Sequence, residues 1–126
     1  MVLVSHKYRF IYIKNVKVAG SSVESFFGKY CQNPDKEYFY TDQIDEQIDE
    51  FGIIGKRGKG KGHKWCKHKS ALLIKKDLGD DIFNKYIKFC VVRNPYDKMV
   101  SLYYWLKSNE NFLDFCKNHN VNNLHI

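Results

Sequence analysis

FIYIKNVKVAGSSVE, residues Phe10–Glu24, is the stretch on which the interpretation of the whole chain depends. It begins inside an apolar run, Tyr8–Ile13, whose aromatic and β-branched residues are typical of a strand buried on both faces of a parallel sheet. A loop with lysines and a glycine follows, and a helix is predicted directly after it. A strand, a loop and a helix N-terminus in this order can bind phosphate, because backbone N–H groups and the helix dipole favour an anion.

This first junction supplies a set of candidate phosphate-binding residues. They lie in the loop or in the first turn of the predicted helix: Lys14, Lys17, Val18, Ala19, Gly20, Ser21 and Ser22. Gly20 would let the backbone approach a ligand closely. Ser21 and Glu24 have the S-x-x-E spacing of a capping box, which predicts that Ser21 is the N-cap residue. An ordinary strand-to-helix turn that binds nothing could have the same pattern.

A second junction, KFCVVRNPYDKMVSLYYW at Lys88–Trp105, repeats the arrangement with an arginine. Phe89–Val92 is predicted to be a second buried strand. Arg93, at the end of that strand, could bind a phosphate with its forked guanidinium, and Ser101 could face it from the following helix. An ion pair between Arg93 and Asp97, with a serine on an amphipathic helix, would explain the same residues without a ligand.

The predicted helix boundaries and the alternation of strands with helices indicate the fold class. Ser70 and Gly79 have the positions of an N-cap and a C′ residue around one helix, while Asn94 and Pro95 are typical of the start of another. Strands that alternate with helices predict a three-layer, P-loop-like α/β fold with a small parallel sheet flanked by helices. The length predicts a single domain over residues 1–126.

The net charge of +7 is concentrated in one segment. Seven lysines and arginines and no acid occur in Lys56–Lys69, whereas Asp35–Glu50 contains seven acids and one lysine. The basic segment therefore indicates an anionic partner near one loop rather than a uniformly basic surface. Its glycines suggest a flexible basic insert loop over residues 52–69.

Several classes of function are disfavoured by the sequence. GKRGKGKG at Gly55–Gly62 has Gly62 where a nucleotide-binding P-loop requires Ser or Thr for magnesium. His63, Cys66 and His68 are crowded and have no obvious fourth ligand, so a zinc site is disfavoured and no metal is expected. Nucleic acid is an unlikely partner, because most aromatic residues lie in core-like patterns. We expect a cytoplasmic protein, since the sequence shows no signal peptide and no membrane span.

Taken together, the two junctions resemble the sulfotransferase family, in its carbohydrate-type branch. KNVKVAGSS is similar to the loop of that family that binds the 5′-phosphosulfate, and FCVVRNPYDKMVSLYY to its 3′-phosphate segment. HKSALLIKKDLGDDIFNKYIKF also resembles the sequence that precedes this segment in the family. The resemblance covers Tyr8–Trp105 apart from an insert at Cys31–Gly62, and the segment after Trp105 is shorter than is usual in the family.

The resemblance implies transfer of a sulfuryl group from 3′-phosphoadenosine 5′-phosphosulfate to a hydroxyl acceptor, for which a carbohydrate is one candidate. Lys17 would contact the 5′-phosphosulfate and assist the leaving phosphate. Arg93 and Ser101 would bind the 3′-phosphate, and the remaining loop residues would line the 5′ side. Such catalysis consists mostly of positioning and of neutralising charge on the leaving group.

The acceptor hydroxyl requires a general base. His68 is the first candidate, because the resemblance places a histidine ahead of the S-A-x-x-I-K helix. Glu24 is the second candidate and His63 the third. The short C-terminal segment and the basic loop leave an alternative open, a non-catalytic domain that binds a nucleotide or polyanion with the same phosphate sites. A homo-oligomer is compatible with the sequence.

Overall fold

The computed structural model describes residues 1–59, 62–66, 68–107 and 109–119. Short strands and helices alternate along these residues. In chain order they are β1 (Leu3–Ser5), β2 (Phe10–Tyr12), α1 (Gly20–Phe27), a 3-10 helix (Gly28–Cys31), β3 (Gln47–Ile48), β4 (Gly52–Ile54), α2 (Ala71–Leu78), α3 (Asp80–Lys85), β5 (Ile87–Phe89), α4 (Pro95–Leu106) and α5 (Phe112–Asn118). No helix of the described residues is both long and apolar enough to cross a membrane.

The strands form one mixed sheet with the order β3-β4-β1-β2-β5. The prediction of a parallel sheet is correct only for β2 and β5; β1 is antiparallel to both β2 and β4, and β3 is antiparallel to β4. The physical reason lies in the connections. A short turn joins β1 to β2 and can only reverse the chain, whereas a long connection with three α-helices, a 3-10 helix and two strands lies between β2 and β5 and allows a parallel crossover. The sequence patterns did not predict β1.

The prediction of a flexible insert over residues 52–69 is wrong at its beginning, because Gly52–Ile54 is β4, a fully buried strand beside β1. A Cβ atom on Gly52 would lie 2.1 Å from the carbonyl oxygen of Val4 and 2.7 Å from that of Cys31. Glycine is therefore required here for close backbone packing, which a count of glycines does not distinguish from flexibility. The Gly60–Lys61 part of the P-loop-like motif, and Lys67, lie outside the described residues.

Helices cover both faces of the sheet, as a layered α/β fold requires. Alternate residues of a strand point to opposite faces, so Leu3 and Val4 belong to two different hydrophobic clusters. The Leu3 cluster includes Tyr12 and packs against Val23 and Phe27 of α1. The Val4 cluster includes Ile74 of α2 and contacts α3. This packing places the N-terminus of α1 at the end of β2, where the first predicted junction lies.

The second junction differs from its prediction in the strand but not in the helix. The strand is Ile87–Phe89 rather than Phe89–Val92. It lies at the edge of the sheet, and Ile87 is 71% exposed rather than buried. At the start of α4, the Asn94 side chain accepts a hydrogen bond from the backbone N–H of Tyr96 at 2.9 Å. The predicted N-cap is thus confirmed, and so is Ser70 as the N-cap of α2.

Candidate functional site

A cavity of about 480 Å³ lies where the two junctions meet. It is lined by most of the residues that the sequence singled out, together with several that it did not. The lining residues are Met1, Lys14, Asn15, Val16, Lys17, Val18, Ala19, Gly20, Ser21, Asp42, Arg57, Gly58, His68, Arg93, Ser101 and Trp105. The fold therefore brings the first loop, the basic segment and helix α4 to one concave site.

The loop of the first junction has an unusual backbone. Lys17 and Ala19 both have φ near 56°, in the left-handed region that residues with a Cβ rarely adopt. Such residues cost roughly 1–3 kcal/mol each and tend to occur at functional sites. Left-handed residues in a turn also bring successive N–H groups to one side, which favours an anion. Here the strained backbone lines the cavity at the N-terminus of α1.

The capping-box prediction is wrong. Helix α1 begins at Gly20, its N-cap residue is Ala19, and no side chain caps it. The backbone N–H of Ser22 instead donates to the carbonyl oxygen of Ala19 at 3.0 Å. The left-handed turn, rather than a hydroxyl, starts the helix, which leaves the Ser21 hydroxyl for other contacts.

Lys17 and Arg93 form the centre of positive charge on the cavity wall. The Nη1 atom of Arg93 donates a long hydrogen bond, 3.5 Å, to the carbonyl oxygen of Lys17. The Nζ atom of Lys17 lies 5.1 Å from the ring centroid of Trp105. Neither cation has an ion pair with a carboxylate of the described residues, so the alternative pairing of Arg93 with Asp97 is not found. Burial lowers the pKa of Lys17, and the charge of Arg93 lowers this pKa further.

Helix α4 contributes one face to the cavity. Ser101 and Trp105 are one helical turn apart, so they share a face, and both line the site. The Trp105 ring is 66% exposed, although it holds the Lys17 ammonium against its π-face. Ser101 was a candidate from the sequence, whereas Trp105 was not. The four-residue spacing between them was the signal that could have identified Trp105.

Behind the cavity lies a buried ionic cluster centred on Glu24. Its carboxylate is fully buried and accepts from the Met1 amino group at 2.5 Å, from Lys14 Nζ at 2.8 Å and from Arg57 Nη1 at 2.8 Å. The Tyr40 hydroxyl lies 3.4 Å from the same carboxylate. Several partners therefore compensate the cost of burying one charge. The cluster ties the first loop to the basic segment.

The electrostatics of this cluster argue against Glu24 as a general base. Burial by itself would raise the pKa of the Glu24 carboxyl, but the Met1 amino group and Lys14 outweigh burial and hold that pKa below its ordinary value. A base must reach the acceptor and accept its proton. Glu24 does not line the cavity, and its oxygens already bind cations. Its place in the structure is that of a support for Lys14 and Arg57.

The space behind Gly20 is occupied by the side chains of Lys14 and Tyr12. A Cβ atom at this position would lie 2.7 Å from Cε of Lys14 and 3.3 Å from the hydroxyl of Tyr12. The close approach predicted from the sequence was between the backbone and a ligand. In the structure, the absent side chain makes room for the lysine that pairs with Glu24.

Arg57 is a cavity residue that the sequence argument did not single out. Its Nη1 and Nη2 atoms each lie 3.3 Å from the Ser21 hydroxyl, and Nη2 lies 3.5 Å from Asp42. The guanidinium also covers the Tyr40 ring at 4.6 Å. A backbone bridge between Ile44 and Arg57 places it there. No local signal separates Arg57 from the other cations of its segment.

The remaining predicted residues fall in different places. His68 lines the cavity, with a left-handed φ of 58°. His63 is half-buried and does not line it. Ser22 is exposed and lies on a shallow groove along α1. Among the described residues, no group of three or more His, Cys, Asp or Glu side chains could hold a metal ion.

Comparison with known proteins gives one family. The model described as "Sulfotransferase family" matches residues 1–124, nearly the whole chain. No curated protein and no solved structure gives a significant match.

Proposed function

Because the chain belongs to the sulfotransferase family, we propose that its cavity binds 3′-phosphoadenosine 5′-phosphosulfate and transfers the sulfuryl group to a hydroxyl acceptor. The observation that carries this proposal is the meeting of Lys17 and Arg93, two cations without a carboxylate partner among the described residues, on one cavity wall. Two adjacent cations repel each other, and an anion between or beside them relieves that repulsion. A nucleotide with phosphates at two positions supplies such anions.

In the proposed reaction the acceptor oxygen attacks sulfur while the bond from sulfur to the 5′-phosphate oxygen breaks. The Lys17 ammonium and the N–H groups of the left-handed loop neutralise the charge that develops on the leaving phosphate. Arg93 and Ser101 hold the 3′-phosphate, which fixes the donor in position. His68 takes the proton of the acceptor hydroxyl. The products are 3′-phosphoadenosine 5′-phosphate, a sulfate ester and a protonated base.

The cavity also supports the choice of His68 over the other candidate bases. His68 lines the same cavity as Lys17, whereas Glu24 is buried behind it and His63 does not line it. A base must lie within hydrogen-bond reach of the acceptor, so a place on the cavity wall is the first requirement. A carbohydrate hydroxyl as acceptor rests on the sequence resemblance alone.

Calorimetric titration with 3′-phosphoadenosine 5′-phosphate tests the donor site. We expect binding, and we expect Lys17→Ala and Arg93→Ala each to weaken it by about tenfold or more, since each removes a charge-assisted contact. Lys76→Ala is the matched control, because Lys76 is an exposed lysine of α2 that does not line the cavity. Absence of binding at millimolar nucleotide would refute the proposal.

Transfer of labelled sulfate to a panel of glycans separates an enzyme from a domain that only binds. For His68→Gln we expect turnover to fall strongly while nucleotide affinity stays within about twofold, because a base acts on the acceptor rather than on the donor. Unchanged turnover in this variant would remove His68 from the mechanism. Nucleotide binding without transfer to any acceptor would favour the non-catalytic alternative.

A further inference from the structure

A second cavity, of about 440 Å³, lies at the opposite end of α1 from the first. Its walls come from the turn between β1 and β2, from the 3-10 helix after α1, and from the segment that follows. Three lysines and three tyrosines dominate its lining: Lys7, Lys29, Lys36, Tyr8, Tyr30 and Tyr38. None of them is among the candidate binding residues identified from the sequence, and none lines the first cavity.

No acidic side chain of the described residues neutralises the three lysines of the second cavity. None has an ion pair with a carboxylate of the described residues, and two of them rest on aromatic rings instead. Lys7 Nζ lies 5.5 Å from the centroid of Tyr8, and Lys29 Nζ lies 5.0 Å from that of Tyr30. Such contacts at exposed positions are weak, so the ammonium groups remain available to an anion.

The requirements of helix stability do not explain why three lysines lie around one cavity. Lys29 follows the end of α1, where a cation is favourable to the helix dipole. Lys7 and Lys36 come from two other segments and have no such reason to be there. The acids beside Lys36 in the sequence, Asp35 and Glu37, are exposed and do not line the cavity. Positive charge is therefore gathered in a concave site from three separate parts of the chain.

The tyrosines of the second cavity indicate which kind of ring carries the bound anion. The Tyr8 and Tyr30 rings meet edge to face, with centroids 5.4 Å apart and an interplanar angle of 85°. The pair therefore offers no parallel slot in which a planar base could be sandwiched. Single tyrosine faces can still pack against the C–H surface of a non-planar ring. Gln32 and Tyr38 also line the cavity, but each already donates a side-chain hydrogen bond to a backbone carbonyl oxygen, so the anion and the ring depend on the lysines and on the tyrosine faces.

We propose that this second cavity, defined by Lys7, Lys29 and Lys36, binds a sugar that carries sulfate or phosphate esters. The lysines bind the ester anions and the tyrosines pack against the sugar ring. The proposal goes beyond the transfer function and does not depend on it, since none of these lysines lines the cavity of Lys17.

Calorimetry or ligand-observed NMR with sucrose octasulfate tests this site. Lys29→Gln/Lys36→Gln removes two charges from the second cavity, and Lys76→Gln/Lys117→Gln removes two charges from exposed helix positions outside both cavities. We expect the first double variant to weaken binding by about tenfold or more and the second by less than about twofold. Equal losses of affinity in the two double variants would show general charge attraction and would overturn the proposal. Absence of binding by the wild-type protein would overturn it as well.

Two further experiments test which cavity binds the anion and whether the ligand contains a sugar ring. Lys17→Gln/Arg93→Gln removes two charges from the first cavity and should leave octasulfate affinity within about twofold; a loss confined to this variant would place the ligand there and refute the second site. Tyr8→Ala should weaken octasulfate binding more than pyrophosphate binding, because only the former has a ring to pack. An equal effect on both probes would refute the sugar as the ligand.

Discussion

Glu24→Gln is expected to destabilise the protein strongly. The substitution keeps the size of a fully buried side chain but removes the negative charge that pairs with Lys14 and Arg57. Breaking a buried ion pair by removal of one partner costs about 3–5 kcal/mol. The side chains of Lys14 and Arg57 are 14% and 18% exposed, so water can partly replace the lost partner. We therefore expect the free energy of unfolding to fall by about 3 kcal/mol, near the lower end of this range.

Urea denaturation provides the measurement, followed by the fluorescence of the buried Trp65. A loss of this size is a large part of the total stability of a small domain, which is about 5–15 kcal/mol. Asp81→Asn is the matched control, since it removes a carboxylate from an exposed helix pair with Lys85. Equal stability of the two variants would refute the view that the Glu24 cluster supports the fold.

The pH dependence gives an independent check of the same cluster. The pKa of Glu24 in the folded protein lies below its ordinary value of 4.5. Its ionic contribution to stability is therefore complete above about pH 4.5 and is lost as the pH falls through the lower folded pKa. We expect the stability difference between wild type and Glu24→Gln to shrink in that acid range. A constant difference down to pH 2 would contradict the assignment.

Two further predictions concern the loop beside this cluster. Gly20→Ala should weaken binding of 3′-phosphoadenosine 5′-phosphate by about tenfold, because a Cβ atom 2.7 Å from Cε of Lys14 must displace that lysine; unchanged affinity in calorimetry would show that the space behind Gly20 is not needed. Ser21→Ala should reduce the affinity for the same nucleotide, because Ser21 lines the first cavity and contacts Arg57. Ser22→Ala should leave it unchanged, because Ser22 lies on the outer groove of α1. Equal effects of the two substitutions would mean that the loop rearranges on binding.

Local sequence patterns correctly predicted the N-caps of α2 and α4. Asn94 and Ser70 cap their helices as expected, because an N-cap depends on one side chain and the N–H groups next to it. At Ser21 the predicted N-cap is wrong, because a left-handed Ala19 starts the helix instead. A left-handed alanine has no sequence signature, since its strain is compensated by contacts from elsewhere in the fold.

Structural features that depend on distant segments of the chain, such as strand pairing, were predicted poorly. The buried strand β4 was interpreted as part of a flexible basic loop, because the reason for Gly52 lies in the carbonyl groups of Val4 and Cys31. The parallel sheet was expected from the alternation of strands and helices, which contains no information on how the unrecognised β1 pairs with its neighbours. Strand pairing is non-local, so it becomes visible only when the sheet is assembled.

The sequence by itself pointed to two strand-to-helix junctions as candidate phosphate sites, with Lys17, Arg93 and Ser101 as candidate residues. Only the tertiary structure decided that these residues share one cavity with Arg57 and Trp105, and that Glu24 is buried and paired with Lys14 and Arg57. The physical reason is that side-chain chemistry is local, whereas burial and charge pairing depend on segments that only folding brings together.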